Sequence, residues 1–156
     1  MTKIRAYQPD DAAALAKIFQ RAIRQLGARD YTADQIKAWA GLRVTAGNLN
    51  DKYADGRSTF IAVDTADQPV AFCDLEADGH IDMLYCDPGH AGRGVASRLL
   101  AAVEREARSL GLQRLHTEAS ETARPVFERA GFVAVLRREL DVGGVALHNW
   151  KMEKQL

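Results

Sequence analysis

At 156 residues, 47% hydrophobic and 27% charged, the chain has the proportions of one globular domain, spanning 1–156, long enough to bury a core. Lys plus Arg and Asp plus Glu both total 21, so no net field recruits nucleic acid or an anionic membrane, and neither is expected as a partner. No apolar run reaches spanning length and "MTKIRAYQPDD" lacks a signal-peptide pattern, which points to a cytoplasmic protein.

"KIRAYQ" predicts a first strand, stopped by Pro9 and an Asp10-Asp11 helix entry. Leu15, Ile18, Phe19, Ala22, Ile23 and Leu26 then mark one face of a helix, with Gly27 placed as its C-terminal glycine cap. Thr32 and Gln35 form a capping-box pattern for a second helix, and Tyr31 and Ile36 have the spacing of a hydrophobic staple. The polar stretch from Arg43 to Ser58 reads as loop with a little helix. "TFIAVDT", "PVAFCDLEA" and "HIDMLYC" predict an antiparallel meander. A glycine turn follows, then a long amphipathic helix through Val95, Leu99, Val103, Ala107 and Leu110. "LQRLHTEA" is a further strand, "TARPVFERA" a short helix, and the chain closes in a hairpin turned by Gly143-Gly144. The order predicts an α+β fold with a mixed sheet.

Cys73 and Cys86 both lie in apolar segments and read as buried free thiols, as a reducing compartment allows. The histidines at 80, 90, 116 and 148 show no ligand spacing, so no metal is expected.

The turn itself, "DPGHAGRGVAS", carries glycines at 89, 92 and 94 directly before the long helix. Such a turn aims unpaired backbone N–H groups and the positive end of the helix dipole at one point, with Arg93 adding a cation. A phosphate or pyrophosphate guest fits that field. A Walker A loop is excluded, because Val95-Ala96 stand where it needs Lys and Ser or Thr. A dinucleotide fingerprint fits poorly, since "GRGVAS" lacks its third glycine and follows a meander, although Glu118 stands roughly where a ribose-binding acid belongs. A coenzyme A loop fits best.

"LYCDPGHAGRGVASRLL" resembles the acetyl-CoA-binding segment of the GNAT N-acetyltransferase superfamily, whose pattern is [QR]-x-x-G-x-[GA] after a hydrophobic-x-hydrophobic triplet. Leu84-Tyr85-Cys86 match the triplet, Gly94 and Ala96 the small positions, and Ala91 replaces the usual Gln or Arg. The element order is also that superfamily's, so the likeness covers nearly the whole chain; "DYTADQIKAWA", "DMLYC" and "EASETARPVFERAGF" look like its bacterial YafP-like subgroup. The resemblance implies a twisted central sheet of about seven strands flanked by about four helices, and acetyl-CoA as cosubstrate. It implies cofactor contacts from Leu84, Tyr85, Cys86, the stretch Gly92, Arg93, Gly94, Val95, Ala96 and Ser97, and from Ser120 and Phe127. It also implies acetyl transfer to a primary amine of a small molecule or peptide by direct attack in a ternary complex, from a monomer or homodimer. Many relatives place a tyrosine, as general acid, four residues before the closing glycine of the last helix. Here that position is Phe127, which cannot donate a proton. A non-catalytic acyl-CoA-sensing module is therefore the rival reading.

An amine of pKa about 10.4 is almost wholly protonated at neutral pH, so a base or a desolvating pocket is needed. Asp82, an acid inside an apolar strand, is the first candidate base, with Glu118 and Glu76 behind it. By resemblance a backbone N–H of Leu84–Cys86 stabilises the oxyanion. Water, Tyr31 or Tyr85 are the candidate donors to the departing thiolate. Cys86 as a nucleophile lacks a histidine placed to activate it. Tyr31, Gln35 and Trp39 share a helical side suited to the acceptor pocket; capping alone also accounts for the first two. His116, Met83 and Trp150 read as packing residues.

Overall fold

The computed structural model describes residues 1–156 and separates the expected mixed sheet into two four-stranded sheets. The elements are β1 (Lys3–Ala6), α1 (Ala12–Arg21), α2 (Ala33–Ala40), α3 (Ala46–Tyr53), β2 (Ser58–Val63), β3 (Pro69–Leu75), β4 (His80–Ile81), β5 (Leu84–Cys86), α4 (Val95–Ser109), β6 (Arg114–Ala119), α5 (Arg124–Arg129), β7 (Val133–Val142) and β8 (Val145–Gln155). These are eight strands and five helices, one more of each than expected. The added helix is α3, where Thr45 Oγ1 accepts from Asn48 N at 3.1 Å and Leu49 and Tyr53, four residues apart, are buried. The added strand arises because "HIDMLYC" is broken in two.

Gly27 does not cap α1. The helix runs on through a π turn at Ala22–Leu26 and a 3-10 turn at Gly27–Arg29, and Gly27 keeps a helical φ of −62°. A Cβ there would stand 3.6 Å from Trp39 and 3.9 Å from Tyr31, so its value is close approach to those rings. The capping box at α2 forms as expected, with Gln35 N donating to Thr32 Oγ1 at 3.2 Å and Thr32 N to Gln35 Oε1 at 3.0 Å.

The first sheet has the order β1-β2-β3-β5 and is antiparallel throughout. Its central strand β3 is covered on both faces. Phe72 packs with Leu15, Phe19 and Leu49, while Ala71, Cys73 and Leu75 pack with Leu99 and Val103 of α4. Burial on both sides explains why this segment reads as a continuous apolar run and not as an alternation. The second sheet has the order β4-β6-β8-β7, with β4 parallel to β6. Ile81, Leu115 and Met152 join it to the α4 side of the core. Gly143 and Gly144, at φ +59° and +85°, make the two-residue turn that pairs Val142 with Val145. Near the start of β7 the register shifts, Ala134 facing Met152 and Leu136 facing Lys151, so that Val135 bulges out of the ladder.

The chain passes from one sheet to the other at Asp82-Met83. Both of their amides donate to Asp74 Oδ1, at 2.8 and 3.0 Å, and Asp74 N returns a bond to Met83 O at 3.2 Å. Asp74 is fully buried, and Arg57 Nη1 donates to its Oδ2 at 3.2 Å. Burial lifts its carboxyl above the ordinary range, although the amide donors and Arg57 work against the shift. Removing the carboxylate would leave the amides of Asp82 and Met83 without their acceptor and take a buried partner from Arg57. Asp74→Ala is expected to lower unfolding free energy by about 3–5 kcal/mol in a urea titration, and Asp74→Asn, which keeps an acceptor oxygen, by less. A loss below about 1 kcal/mol in the alanine variant would show that the crossing does not depend on this group.

Candidate active site

Asp87 opens the glycine turn. Its N–H donates to Val70 O at 2.7 Å, and its carboxylate accepts from Gly89 N at 2.9 Å and Arg21 Nε at 2.7 Å. The backbone then takes φ of +76° at Gly92 and +77° at Gly94, left-handed values that cost other residues about 1–2 kcal/mol. A Cβ at either position would meet no protein atom within 4 Å, so the backbone angle and not crowding calls for glycine. The first bond of α4 runs from Arg98 N to Gly94 O at 3.1 Å. Every amide from Gly92 to Ser97 is therefore without an acceptor in the chain, and the positive end of α4 lies behind them. Arg93 and Ser97 are exposed, whereas the Val95 side chain is buried in the core and leaves only its amide to the turn.

β5 is the edge strand of its sheet. Asp74 N donates to Met83 O and Asp87 N to Val70 O, so residues 83, 85 and 87 turn their backbone groups toward β3. By strand alternation the N–H groups of Leu84 and Cys86 face the seam between the sheets. Two cavities open on that seam. The larger, about 300 Å³, is bounded by Tyr31, Trp39, Asp82, Glu118 and Phe127, and by the hairpin face carrying Arg138, Leu140, Leu147 and Asn149. The smaller, about 100 Å³, lies among Ala22, Ile23, Leu26, Ala96 and Val126. Leu84, Tyr85, Ser120 and Ala123 border both.

Charges crowd the larger cavity. Asp82 is bonded to Lys52 Nζ and lies 3.7 Å from Arg57 Nη1. Glu118 Oε1 meets His80 Nε2 at 2.9 Å and Arg138 Nη1 at 3.9 Å, while the other His80 nitrogen is bonded to Glu76. Burial by itself lowers the His80 pKa, but the flanking carboxylates outweigh it and the net shift is upward. Arg57 also reaches Asp55 at 2.7 Å and Glu76 at 3.1 Å, so one guanidinium serves four carboxylates.

The Tyr31 hydroxyl accepts from Glu121 N at 2.8 Å and points to His148 O at 3.5 Å. Burial pushes its pKa up. Glu121 in turn accepts from Trp150 Nε1 and pairs with His148 Nε2 at 2.7 Å, and the indole bond leads the effects that hold its carboxyl low. The Tyr85 ring packs among Phe19, Phe72 and Trp39, and burial raises its phenol well above the ordinary value, so it keeps its proton. Burial likewise pushes Cys86 up to about 11, which leaves a thiol and not a nucleophilic thiolate. Cys73 and Cys86 are both free, and the β3–β5 register sets Cys73 against Leu84 and Ala71 against Cys86.

Of the residues singled out in the sequence, Asp82, Tyr31, Leu84, Tyr85, Ser120 and Phe127 all border the larger cavity. Cys86 and Ala96 border the smaller one, from which α4 leads back to Gly92, Arg93 and Gly94. Phe127 is 2% exposed and stacks edge-on against Phe132 at 5.1 Å. Glu76 stays behind His80, outside both cavities. The Gln35 side chain is engaged by Thr32 and by Ala146 O at 3.0 Å, so it is a brace between α2 and the hairpin. Met83 is core, and Trp150 lies beneath Arg124 at 4.2 Å. Not foreseen from the sequence are Arg138, Leu140, Leu147 and Asn149. Their i, i+2 spacing marks one face of a hairpin, but nothing local says which face turns inward.

The acetyltransferase (GNAT) domain family matches residues 27–154. The uncharacterized N-acetyltransferase YafP of Escherichia coli K12 is 35% identical over 150 residues, covering 96% of this chain and 93% of that protein. A crystal structure of a GCN5-related N-acetyltransferase from Rhodopseudomonas palustris aligns at a TM-score of 0.91 with 36% identity, over 100% of this chain and 96% of that one. The PaiA N-acetyltransferase of Thermoplasma acidophilum, solved in complex with coenzyme A, shares the fold at a TM-score of 0.80 and 16% identity, over 100% and 99% of the two chains. With a family match across most of its length and a relative of this identity, the chain belongs to the GNAT acetyltransferase family.

Proposed function

We propose that the protein transfers the acetyl group of acetyl-CoA to a primary amine of a small molecule or peptide, by direct attack in a ternary complex. The observation that carries this reading is the meeting of two cavities at Leu84-Tyr85, one of them leading to the row of free amides at Gly92–Ser97. The coenzyme A bound by the PaiA relative supports a pyrophosphate on that row. The pantetheine arm then runs through the smaller cavity, past Ala96 and Cys86. Its thioester lies against β5, where the N–H of Leu84 or Cys86 donates to the growing oxyanion.

The acceptor occupies the larger cavity. Asp82 and Glu118 draw its ammonium inward, and Asp82, directly or through water, removes the proton before attack. Leu42, Leu140, Val142 and Leu147 favour an acceptor with an apolar body behind its amine. Because the Tyr31 hydroxyl is held by Glu121 and His148, Tyr31 serves as a wall and brace. Tyr85, protonated and bordering both cavities, or a water, protonates the thiolate.

Thiol release from acetyl-CoA across a panel of amines, beside calorimetric binding of coenzyme A, tests the whole reading; binding without turnover on any amine would favour a sensing module. Gly94→Asp adds a negative charge to the amide row while meeting no protein atom within 4 Å. Its affinity for coenzyme A should fall at least tenfold, about 1.4 kcal/mol. Unchanged affinity in the folded variant would put the pyrophosphate elsewhere. Asp82→Asn should lower kcat/KM by about 10²-fold or more, and full activity would pass the base role to Glu118. Phe127→Tyr should leave kcat nearly unchanged if Tyr85 or water already protonates the thiolate. A gain of about 10²-fold would instead mean that the wild-type protein lacks an acid.

A further inference from the structure

No metal-ligand spacing runs along the chain, yet the parallel pairing of β4 with β6 sets His80 opposite His116. Glu118, two residues on, shares that face of β6. One ligand atom from each of His80, His116 and Glu118 lies within 4.8 Å of the other two. We propose that these side chains form a binding site for a zinc-class divalent cation, which replaces the expectation of a metal-free protein.

The His80 ring is already aimed for this. Its Nδ1 is bonded to Glu76, the carboxylate–histidine arrangement that fixes a ring and leaves Nε2 as the donor to a metal. Nε2 points at Glu118 Oε1, 2.9 Å away. Bonds of about 2.0–2.1 Å in a tetrahedral site set ligands roughly 3.3–3.4 Å apart, so the pair has to open by about half an ångström. The His116 ring lies 5.1 Å from that of His80. Its Nε2 is 3.8 Å from Asp78 Oδ2; that carboxylate is 71% exposed and its other oxygen accepts from His80 N at 3.0 Å, which leaves Oδ2 as a fourth ligand.

The histidine side chains are each 17% exposed and Glu118 31%, which leaves solvent a way in. Of the nearby cations, Arg57 is held by Asp55 and Asp74, and Arg138 is 40% exposed and can withdraw. Without metal, the 2.9 Å contact between His80 Nε2 and Glu118 Oε1 holds the same atoms together. Entry of the cation releases any proton that His80 carries on Nε2. Two imidazole nitrogens select zinc over magnesium, which prefers oxygen ligands. Glu118 belongs both to this site and to the wall of the larger cavity.

Isothermal titration of the whole chain, stripped with chelator and free of any polyhistidine tag, tests the site with zinc alone. Neither acetyl-CoA nor an acceptor is needed, so the result is independent of the proposed reaction. The expected outcome is saturable one-to-one binding, accompanied by a higher melting temperature. His116→Gln and Glu118→Gln should each weaken it at least tenfold, with His116→Asn as the second variant if the glutamine disturbs folding. Magnesium should give no saturable heat. No saturable zinc binding up to about 1 mM, affinity unchanged in either substitution, or equal affinity for magnesium would overturn the assignment.

Discussion

One buried carboxylate holds the seam of this molecule open. A strand that left β3 by an ordinary tight turn would pair along its whole length with one neighbour. Here Asp74 captures the amides of Asp82 and Met83, so the chain leaves one sheet and joins the other within two residues. That crossing makes β5 an edge strand, frees its outward N–H groups and leaves room for the two cavities that meet there. The outward amides of β5 and the walls of the larger cavity take their positions from it.

The electrostatics follow from the same place. Arg57, itself only 10% exposed, bonds to Asp74 and reaches Asp82 and Glu76. A buried ion pair of this kind adds little net stability, because desolvation consumes most of the attraction. Its effect is positional. By tying the group that parts the sheets to a carboxylate on the cavity wall, Arg57 makes the shape of the seam and the charge lining it a single arrangement. The glycine turn is supported separately, by Asp87 and its Arg21 partner, so the turn and the wall of the larger cavity rest on different ion pairs.

Much of this was legible in the sequence because its signals are local. The capping box at Thr32, the glycines of the turn and the stripe Val95, Leu99, Val103 and Ala107 of α4 each lie within a few residues and form where expected; Leu110, expected to extend that stripe, falls just past the helix and is 55% exposed. Gly27 misled because its place after an apolar stripe looks like a cap, while its actual constraint is Trp39, twelve residues on. The break at Asp82-Met83 was invisible for the same reason: the group that causes it is on the preceding strand. Asp82 stood out as an acid in an apolar run, but its Lys52 partner is thirty residues away. The hairpin wall and the meeting of His80 with His116 depend on pairings between strands distant in the chain, and the Tyr31–Glu121–His148 brace ties two loop segments to β8. Alternation tells which residues share a face; only the assembled sheet tells what that face meets.

The bulge at Val135 has a bearing on how the molecule behaves among copies of itself. β7 is the outer strand of the second sheet, and Val133, Val135 and Leu136 on it are 68%, 52% and 47% exposed. A flat strand so apolar would offer its open backbone as a template for another chain. The extra residue twists that edge and breaks the even spacing a docking strand needs, and Arg137, Arg138, Glu139 and Asp141 follow it with charge. The irregularity thus works against edge-to-edge association at the border of the sheet, while the hairpin's inner face stays free to line the larger cavity with Leu140 and Leu147.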